Sequence, residues 1–125
     1  CSDCIVTDGE FNVTSPSFYS VVGMKPGKYF NLFTRNCYLG CCMAFRRRVL
    51  DKALPFPKNL PMHDIWIGNV SAFFYRMKFI DDKLILFRRH GNNSSSTASR
   101  SPYSLFAKLG FRFQMVKDLL IACTR

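Results

Sequence analysis

The feature that most constrains the fold is a stretch with helical spacing that follows a proline-rich segment. It repeats mostly apolar and small side chains at steps of three and four residues, which places them on one face of an α-helix. Pro61 stands just upstream, as prolines often do at the start of a helix. The sequence therefore predicts a helix over residues 64–77, whose repeating positions are Ile65, Gly68 or Asn69, Ala72, Phe73 and Arg76.

Weaker patterns precede this helix. Residues 4–7 are apolar and partly β-branched and are followed by Asp8-Gly9, a turn signal, so they predict a strand. Residues 14–36 show no clear period and predict a long connection. Residues 40–45 form a continuous apolar run, which predicts either a buried strand or a buried helical turn.

Further elements are predicted on both sides of the long helix. Residues 46–54 indicate a short basic helix, which Pro55 would end. Residues 78–89 indicate a hairpin with its turn at Asp81-Asp82. The serine-rich stretch that ends at residue 101 predicts a mobile loop.

The last segment, residues 102–125, predicts a basic amphipathic helix. Its apolar stripe either packs on the core or binds a membrane surface together with the basic residues around it. In order, the elements predict an α/β layered domain over residues 1–101, followed by this helix. The stripe consists of Leu105, Leu109, Phe113, Val116 and Leu120, and the basic residues are Lys108, Arg112 and Lys117.

The charge of the chain restricts its partners. Lysine and arginine outnumber aspartate and glutamate by 18 to 8, a formal net charge of +10. This excess favours an anionic partner, although no nucleic-acid-binding signature is present. No apolar stretch is long enough to span a bilayer. Because the chain opens on Cys1 and an apolar run, we expect it to be part of a larger protein whose upstream portion is missing.

The six cysteines permit more than one interpretation. With four N-x-S/T triplets they would suit a secreted, disulfide-linked protein, but one triplet (Asn69) falls inside the predicted helix. A zinc site is the other alternative, yet the spacing from Cys1 to Cys42 fits no common finger or ribbon. Reduced, mostly buried thiols in a cytoplasmic protein are the favoured interpretation.

The adjacent residues His63 and Asp64 lie where the long helix begins. An aspartate at this point can cap the helix, because its carboxylate accepts backbone N–H groups and favours the positive end of the helix dipole. A general base needs the same fixed carboxylate at an exposed helix end. The sequence allows both roles for Asp64.

A second candidate site follows the last predicted strand. Arg88 and Arg89 offer forked donors that suit a pyrophosphate, and the imidazole of His90 can ligate a divalent cation bound to it. The alternative is an exposed basic strand end without a ligand.

Together these blocks resemble a known family. SDCIVTDGEF, NCYLGCCMAFRRRVL, LPFPKNLPMHDIWIG and FIDDKLILFRRHGNN stand in the order seen in the C-terminal, acceptor-side half of bacterial family 2 glycosyltransferases of the rhamnosyltransferase-like kind. The resemblance spans residues 2–120. It implies part of a GT-A mixed-sheet domain with flanking helices, and an inverting enzyme that transfers a sugar from a nucleotide-diphosphate donor to a saccharide or lipid-linked saccharide in surface polysaccharide synthesis.

The resemblance also implies roles for individual residues. Asp64 matches the general base, with His63 beside it. Arg88 and Arg89 would lie near the donor pyrophosphate. The remaining matches are His90, which would contact the phosphates or a Mn²⁺ or Mg²⁺ ion, Gly40 and Cys41, which would flank the acceptor pocket, and Trp66, which would form an apolar wall or stack on the acceptor.

The chain lacks the family's N-terminal nucleotide-binding half and its Asp-x-Asp metal motif. We therefore expect it to be inactive alone, with exposed apolar sheet surface. A basic module for nucleic acid or membranes is the alternative function. A lipid-linked acceptor would be compatible with a cytoplasmic enzyme held peripherally at the inner face of the cell membrane.

Overall fold

The computed structural model describes residues 1–60, 62–90 and 103–124. These residues form a small mixed α/β domain with a three-stranded mixed sheet. Its elements are β1 (Ser2–Thr7), β2 (Val13–Ser15), α1 (Phe18–Val22), α2 (Lys28–Phe33), a 3₁₀ turn (Gly40–Cys42), α3 (Arg47–Ala53), α4 (His63–Phe74), β3 (Ile80–Arg88) and α5 (Leu105–Cys123).

The sheet has β1 at its centre, as its apolar and β-branched sequence favours. β1 pairs antiparallel with β2 and parallel with β3. The predicted turn after β1 is confirmed: the Asp8 carboxylate accepts the backbone N–H groups of Glu10 and Asn12, both at 2.9 Å. This local closure directs the chain from β1 into β2.

The predicted long connection over residues 14–36 is wrong, because it contains two short helices and most of β2. The first helix is held by a contact distant in sequence: the buried Asp3 carboxylate accepts the Ser17 hydroxyl at 2.6 Å and the Tyr19 N–H at 3.0 Å. Helices of five and six residues are too short to produce a visible period.

The predicted hairpin over residues 78–89 is also wrong. β3 is one continuous strand, and its pairing with β1 is irregular where the turn was expected. Ser2 pairs with Ile80 and Cys4 with Ile85, so extra residues of β3, including Asp81-Asp82, are accommodated between them. The residues of β3 before and after Asp81-Asp82 both pair in parallel with β1. This pairing keeps the two aspartates within an irregular strand, so the chain does not reverse there.

The predicted helices α3 and α4 are confirmed, and together they build the main core. α4 ends at Phe74, a few residues earlier than expected. Trp66 is buried between the helices and its indole N–H donates to the Ala53 carbonyl at 2.8 Å. The buried members of this core are Leu32, Val49, Ala53, Trp66, Ile67, Val70, Met115, Leu119 and Ala122.

The helix predicted in the last segment is confirmed as α5, but the side that packs on the core is different. Met115, Leu119 and Ala122 are buried, whereas most of the predicted stripe is exposed. Both faces are apolar, so periodicity alone does not distinguish them. None of the described helices is long and apolar enough to cross a membrane.

A second cluster lies between the sheet and its neighbouring segments, around Cys4, Val6, Phe18 and Leu39. On the other face of β3, Leu84 and Leu86 are exposed, so part of the sheet carries uncovered apolar side chains. The expectation of exposed apolar sheet surface is therefore met in β3.

Gly68 allows α4 to approach the preceding segment closely. A β-carbon at this position would come within 2.7 Å of Tyr38 Cδ1 and closer still to Cγ. The Tyr38 ring is buried and stacks on Phe79, with ring centroids 5.9 Å apart, so it cannot retreat into solvent.

Gly68→Ala is therefore expected to lower the free energy of unfolding by about 1–3 kcal/mol, the usual cost of overpacking. Gly110→Ala is the matched control, because nothing lies within 4 Å of a β-carbon built on Gly110 in α5. There alanine should be neutral or stabilise by up to about 1 kcal/mol. Urea denaturation of both variants measures the difference, and equal effects would contradict the close packing.

Candidate functional site

Asp64 lies in the first turn of α4 and is buried. The helix begins at His63, one residue before the predicted start. The N-cap residue is Met62, whose side chain makes no capping hydrogen bond. The Asp64 carboxylate nevertheless accepts the N–H of Ile65 at 2.8 Å, one of the first-turn donors that lack an intrahelical partner. The helix thus holds a carboxylate in a fixed position at its positive end.

Gly40 lies directly against this carboxylate. A β-carbon built on Gly40 would lie 3.4 Å from Asp64 Cβ and 3.6 Å from Oδ2. This contact follows from the packing of Tyr38 on Gly68. Asp64 precedes Gly68 by four residues, a rise of about 6 Å along the helix, and Gly40 follows Tyr38 by two residues, about 7 Å of extended chain. With Tyr38 opposite Gly68, the chain therefore brings Gly40 opposite Asp64.

Cys41 and Cys42 follow Gly40 in the 3₁₀ turn and carry neutral thiols. Burial of Cys42 raises its pKa to about 11. Cys41 is exposed as a residue, but desolvation around its sulfur and the nearby Cys42 thiol raise the pKa of Cys41 to about 11 as well. A protonated thiol beside Asp64 is a weak hydrogen-bond donor and a poor nucleophile at neutral pH.

The two other residues predicted near Asp64 differ in exposure. His63 is exposed at the start of α4. Trp66 is buried and its indole N–H is already bonded to Ala53, so its position does not match an acceptor-stacking residue. Packing between α3 and α4 accounts for this tryptophan.

The second predicted group lies at the carboxyl ends of β1 and β3. The Arg89 N–H donates to the Thr7 carbonyl at 2.7 Å, which fixes the end of β3 beside β1. The Arg88 guanidinium lies 5.1 Å from the centre of the Phe11 ring, and a β-carbon built on Gly9 would lie 3.7 Å from His90 Cβ. The three basic residues therefore adjoin the turn that follows β1.

The turn after β1 contributes residues that were not predicted as part of a site. Hydrogen bonds from Asn12 hold the pKa of the Asp8 carboxyl below its usual range. Phe11 has a φ of 66°, in the left-handed region that such a residue rarely adopts, and its ring lies under Arg88. A strand followed by Asp-Gly could have indicated this turn as a site, because ligands of α/β sheets often bind at carboxyl strand ends.

The two groups are connected through the sheet. The sulfurs of Cys41 and Cys42 are 3.9 Å apart, and Cys42 is hydrogen-bonded to Cys4 of β1. Cys4 precedes Thr7 by three residues, about 10 Å along a strand. Within the described residues no hydrogen bond or ion pair joins Asp64 to Arg88, Arg89 or His90.

A groove of about 270 Å³ lies near α3 and the end of α4, outside both groups. Arg46, Arg48, Arg76 and Lys78 line it, and none of the described residues that line it is acidic. The Tyr75 hydroxyl donates to the Arg48 carbonyl at 2.8 Å, which ties its two sides together. From the sequence, residues 46–54 were expected only to form a short basic helix, and this concave surface was not predicted.

All six cysteines are free thiols, and of those predicted as a zinc alternative Cys4, Cys41 and Cys42 lie close together. The sulfur of Cys37 lies 3.8 Å from the Arg35 carbonyl oxygen, and its backbone N–H donates to the Asn31 side chain at 2.9 Å. Within residues 1–60, 62–90 and 103–124, no group of three His, Cys, Asp or Glu side chains is positioned to hold a metal ion.

If Asp64 contributes to stability mainly through its negative charge at the helix start, Asp64→Asn should lower the free energy of unfolding by about 0.3–1 kcal/mol. Asparagine keeps an oxygen that can accept the Ile65 N–H, so that hydrogen bond is preserved. Urea denaturation at neutral pH measures the change. A loss of several kcal/mol would show that the carboxylate is chiefly structural.

Comparisons of the chain with models of protein families, with curated proteins and with solved structures found no match. Two groups of side chains can carry chemistry in this domain: a buried carboxylate beside a glycine at the start of α4, and cationic side chains at the carboxyl ends of two parallel strands.

Proposed function

We propose that the chain is the acceptor-side part of an inverting family 2 glycosyltransferase with a GT-A fold. In this proposal it acts on a nucleotide-diphosphate sugar and a saccharide or lipid-linked saccharide acceptor. The nucleotide-binding half of the enzyme would lie outside these residues. The mixed α/β architecture is compatible with such a domain.

The contact between Asp64 and Gly40 carries the proposal. The family resemblance assigns the two residues to the acceptor side, although they stand 24 positions apart in the sequence, and they are in contact. A glycine beside the carboxylate leaves space for a hydroxyl group to approach Oδ2. Gly40 is exposed, so this approach is open from solvent.

In the proposed transfer, Asp64 acts as the general base. An acceptor hydroxyl oxygen attacks the anomeric carbon of the donor sugar, and its proton passes to the Asp64 carboxylate. Attack from the face opposite the leaving group inverts the configuration at that carbon. The helix start fixes the carboxylate in position, so little reorganisation is needed when the proton moves.

The bond between the anomeric carbon and the diphosphate oxygen breaks in the same step. Its electron pair remains on the departing nucleoside diphosphate, which gains negative charge. Arg88 and Arg89 would bind this charge through forked N–H donors. They lie at the carboxyl ends of the parallel strands β1 and β3, where ligands of α/β sheets often bind.

The resemblance also implies Mn²⁺ or Mg²⁺, which would neutralise charge on the diphosphate. The described residues do not form a complete site for such an ion. His90, which is exposed at the strand end, would supply one ligand, and the others would come from outside these residues.

The cationic groove favours the alternative function, a basic module that binds anions. Arg46, Arg48, Arg76 and Lys78 would bind phosphates without any need for Asp64. The chain carries no nucleic-acid-binding signature, so we do not expect nucleic acid to be its partner. The glycosyltransferase would bind its diphosphate through Arg88 and Arg89, whereas the anion-binding module would bind phosphates through the cations of the groove.

Asp64→Asn is expected to reduce sugar transfer at least about 100-fold, because a general base typically contributes that much or more. The measurement is release of nucleoside diphosphate from a panel of sugar nucleotides with Mn²⁺ or Mg²⁺. It uses a protein that joins this chain to the donor-binding half that the proposal requires.

Asp51→Asn is the matched control for this assay, since Asp51 is an exposed aspartate of α3 at 4.0 Å from Arg47. It should transfer sugar at the wild-type rate. Wild-type activity in a folded Asp64→Asn protein would overturn the assignment of the base. No release from the wild type with any donor would favour the anion-binding module.

Donor binding provides an independent test on the same protein that joins this chain to the donor-binding half. Replacing both Arg88 and Arg89 by Gln should weaken binding of a nucleoside diphosphate by about tenfold or more, since hydrogen bonds to charged groups are lost. Isothermal titration calorimetry measures the affinity. His90→Ala should remove any tightening that Mn²⁺ produces in the wild type.

The matched control replaces Arg46 and Arg48 of the groove by Gln, which removes the same charge elsewhere. Under the proposal this variant binds nucleoside diphosphate like the wild type. The reverse result, loss of binding only in the groove variant, would support the anion-binding module.

A further inference from the structure

One face of α5 carries large apolar side chains that the core leaves uncovered. Phe106 and Phe113 are 85% and 75% exposed. Three leucines accompany them on the same face, and all are more than half exposed: Leu105, Leu109 and Leu120. We call these five residues the outer stripe.

The outer stripe is distinct from the side of α5 that packs on the core. At 3.6 residues per turn, its members fall within a sector of about 100°. The buried residues Met115, Leu119 and Ala122 fall in another sector, centred about 120° away. Packing of α5 on the domain therefore leaves the outer stripe open.

Cations border the outer stripe on both sides. On the same helical geometry, Arg112 lies about 20° beyond one edge and Lys117 about 20° beyond the other. The acid of this helix, Asp118, points away from the stripe and accepts a hydrogen bond from Gln114 at 3.0 Å. Apolar side chains between two cationic borders are the pattern of a helix that lies in a lipid interface.

We propose that the outer stripe of α5 binds an anionic phospholipid surface, with the helix lying in the plane of the interface. Phe106 and Phe113 would enter the acyl boundary. Lys117 would meet lipid phosphates, as would the remaining N–H donors of Arg112, whose guanidinium also donates to the Thr34 carbonyl at 2.6 Å. Charge favours lipid over a second copy of the chain, because two copies meeting at this face would bring together cations and a net charge of +10 each.

The test is cosedimentation of the 125-residue chain with lipid vesicles. The chain should bind vesicles that contain phosphatidylglycerol and bind phosphatidylcholine vesicles weakly, and salt should reduce the first interaction. Replacing both Phe106 and Phe113 by Ser should weaken binding at least about tenfold.

The matched control replaces Leu84 and Leu86 of β3 by Ser, since these leucines are 69% and 57% exposed on a different surface. It should bind like the wild type. A second comparison uses two double variants: Arg112→Gln with Lys117→Gln at the borders of the stripe, and Lys25→Gln with Lys58→Gln elsewhere on the surface. Only the first combination should lose affinity for phosphatidylglycerol, although both remove the same charge.

Equal binding by the phenylalanine variant and the wild type, with circular dichroism showing both folded, would overturn the proposal. So would equal losses in the two charge-neutralising double variants, because nonspecific attraction to the net charge would then be sufficient. If the phenylalanine substitutions instead convert a dimer to a monomer and leave vesicle binding unchanged, the stripe is an interface between copies. The inference is independent of the proposed sugar transfer.

Discussion

The packing of the Tyr38 ring on the backbone of Gly68 connects the fold to the candidate site. The ring occupies the space that a β-carbon would fill and stacks on Phe79 next to β3, so α4, the preceding segment and the sheet meet at one contact. Two residues further along, Gly40 lies against Asp64 one helical turn away. Any change that separates Tyr38 from Gly68 would therefore also move Gly40 relative to Asp64.

Charge in this domain is distributed over separate surfaces. Arg88 and Arg89 lie at the carboxyl ends of the parallel strands, a second set of cations lines the groove near α3, and a third borders the outer stripe of α5. The proposed functions assign the first to a diphosphate and the third to lipid phosphates. A net charge of +10 alone does not make this distinction, because the position of each cation relative to carboxylates and apolar surface decides what it can bind.

Elements with a strong local signal were predictable. The strand predicted over residues 4–7 and the helix predicted over residues 64–77 are present, with ends that differ by one to three residues. Their helical period, β-branched residues and flanking turn residues all act within a few positions. β3 was mistaken for a hairpin because Asp81-Asp82 resembles a turn, and only pairing with β1 keeps the strand continuous. α1 was missed because its position depends on Asp3, which precedes Ser17 by 14 residues.

The sequence by itself determined the main helices, the central strand and which side chains could carry charge or chemistry, since these follow from local spacing and residue type. The tertiary structure alone decided that Gly40 contacts Asp64, that Trp66 is enclosed in the core, and which apolar face of α5 is covered. These outcomes depend on contacts between residues far apart in the chain. Periodicity can reveal an apolar face, but it does not identify the surface that packs against it.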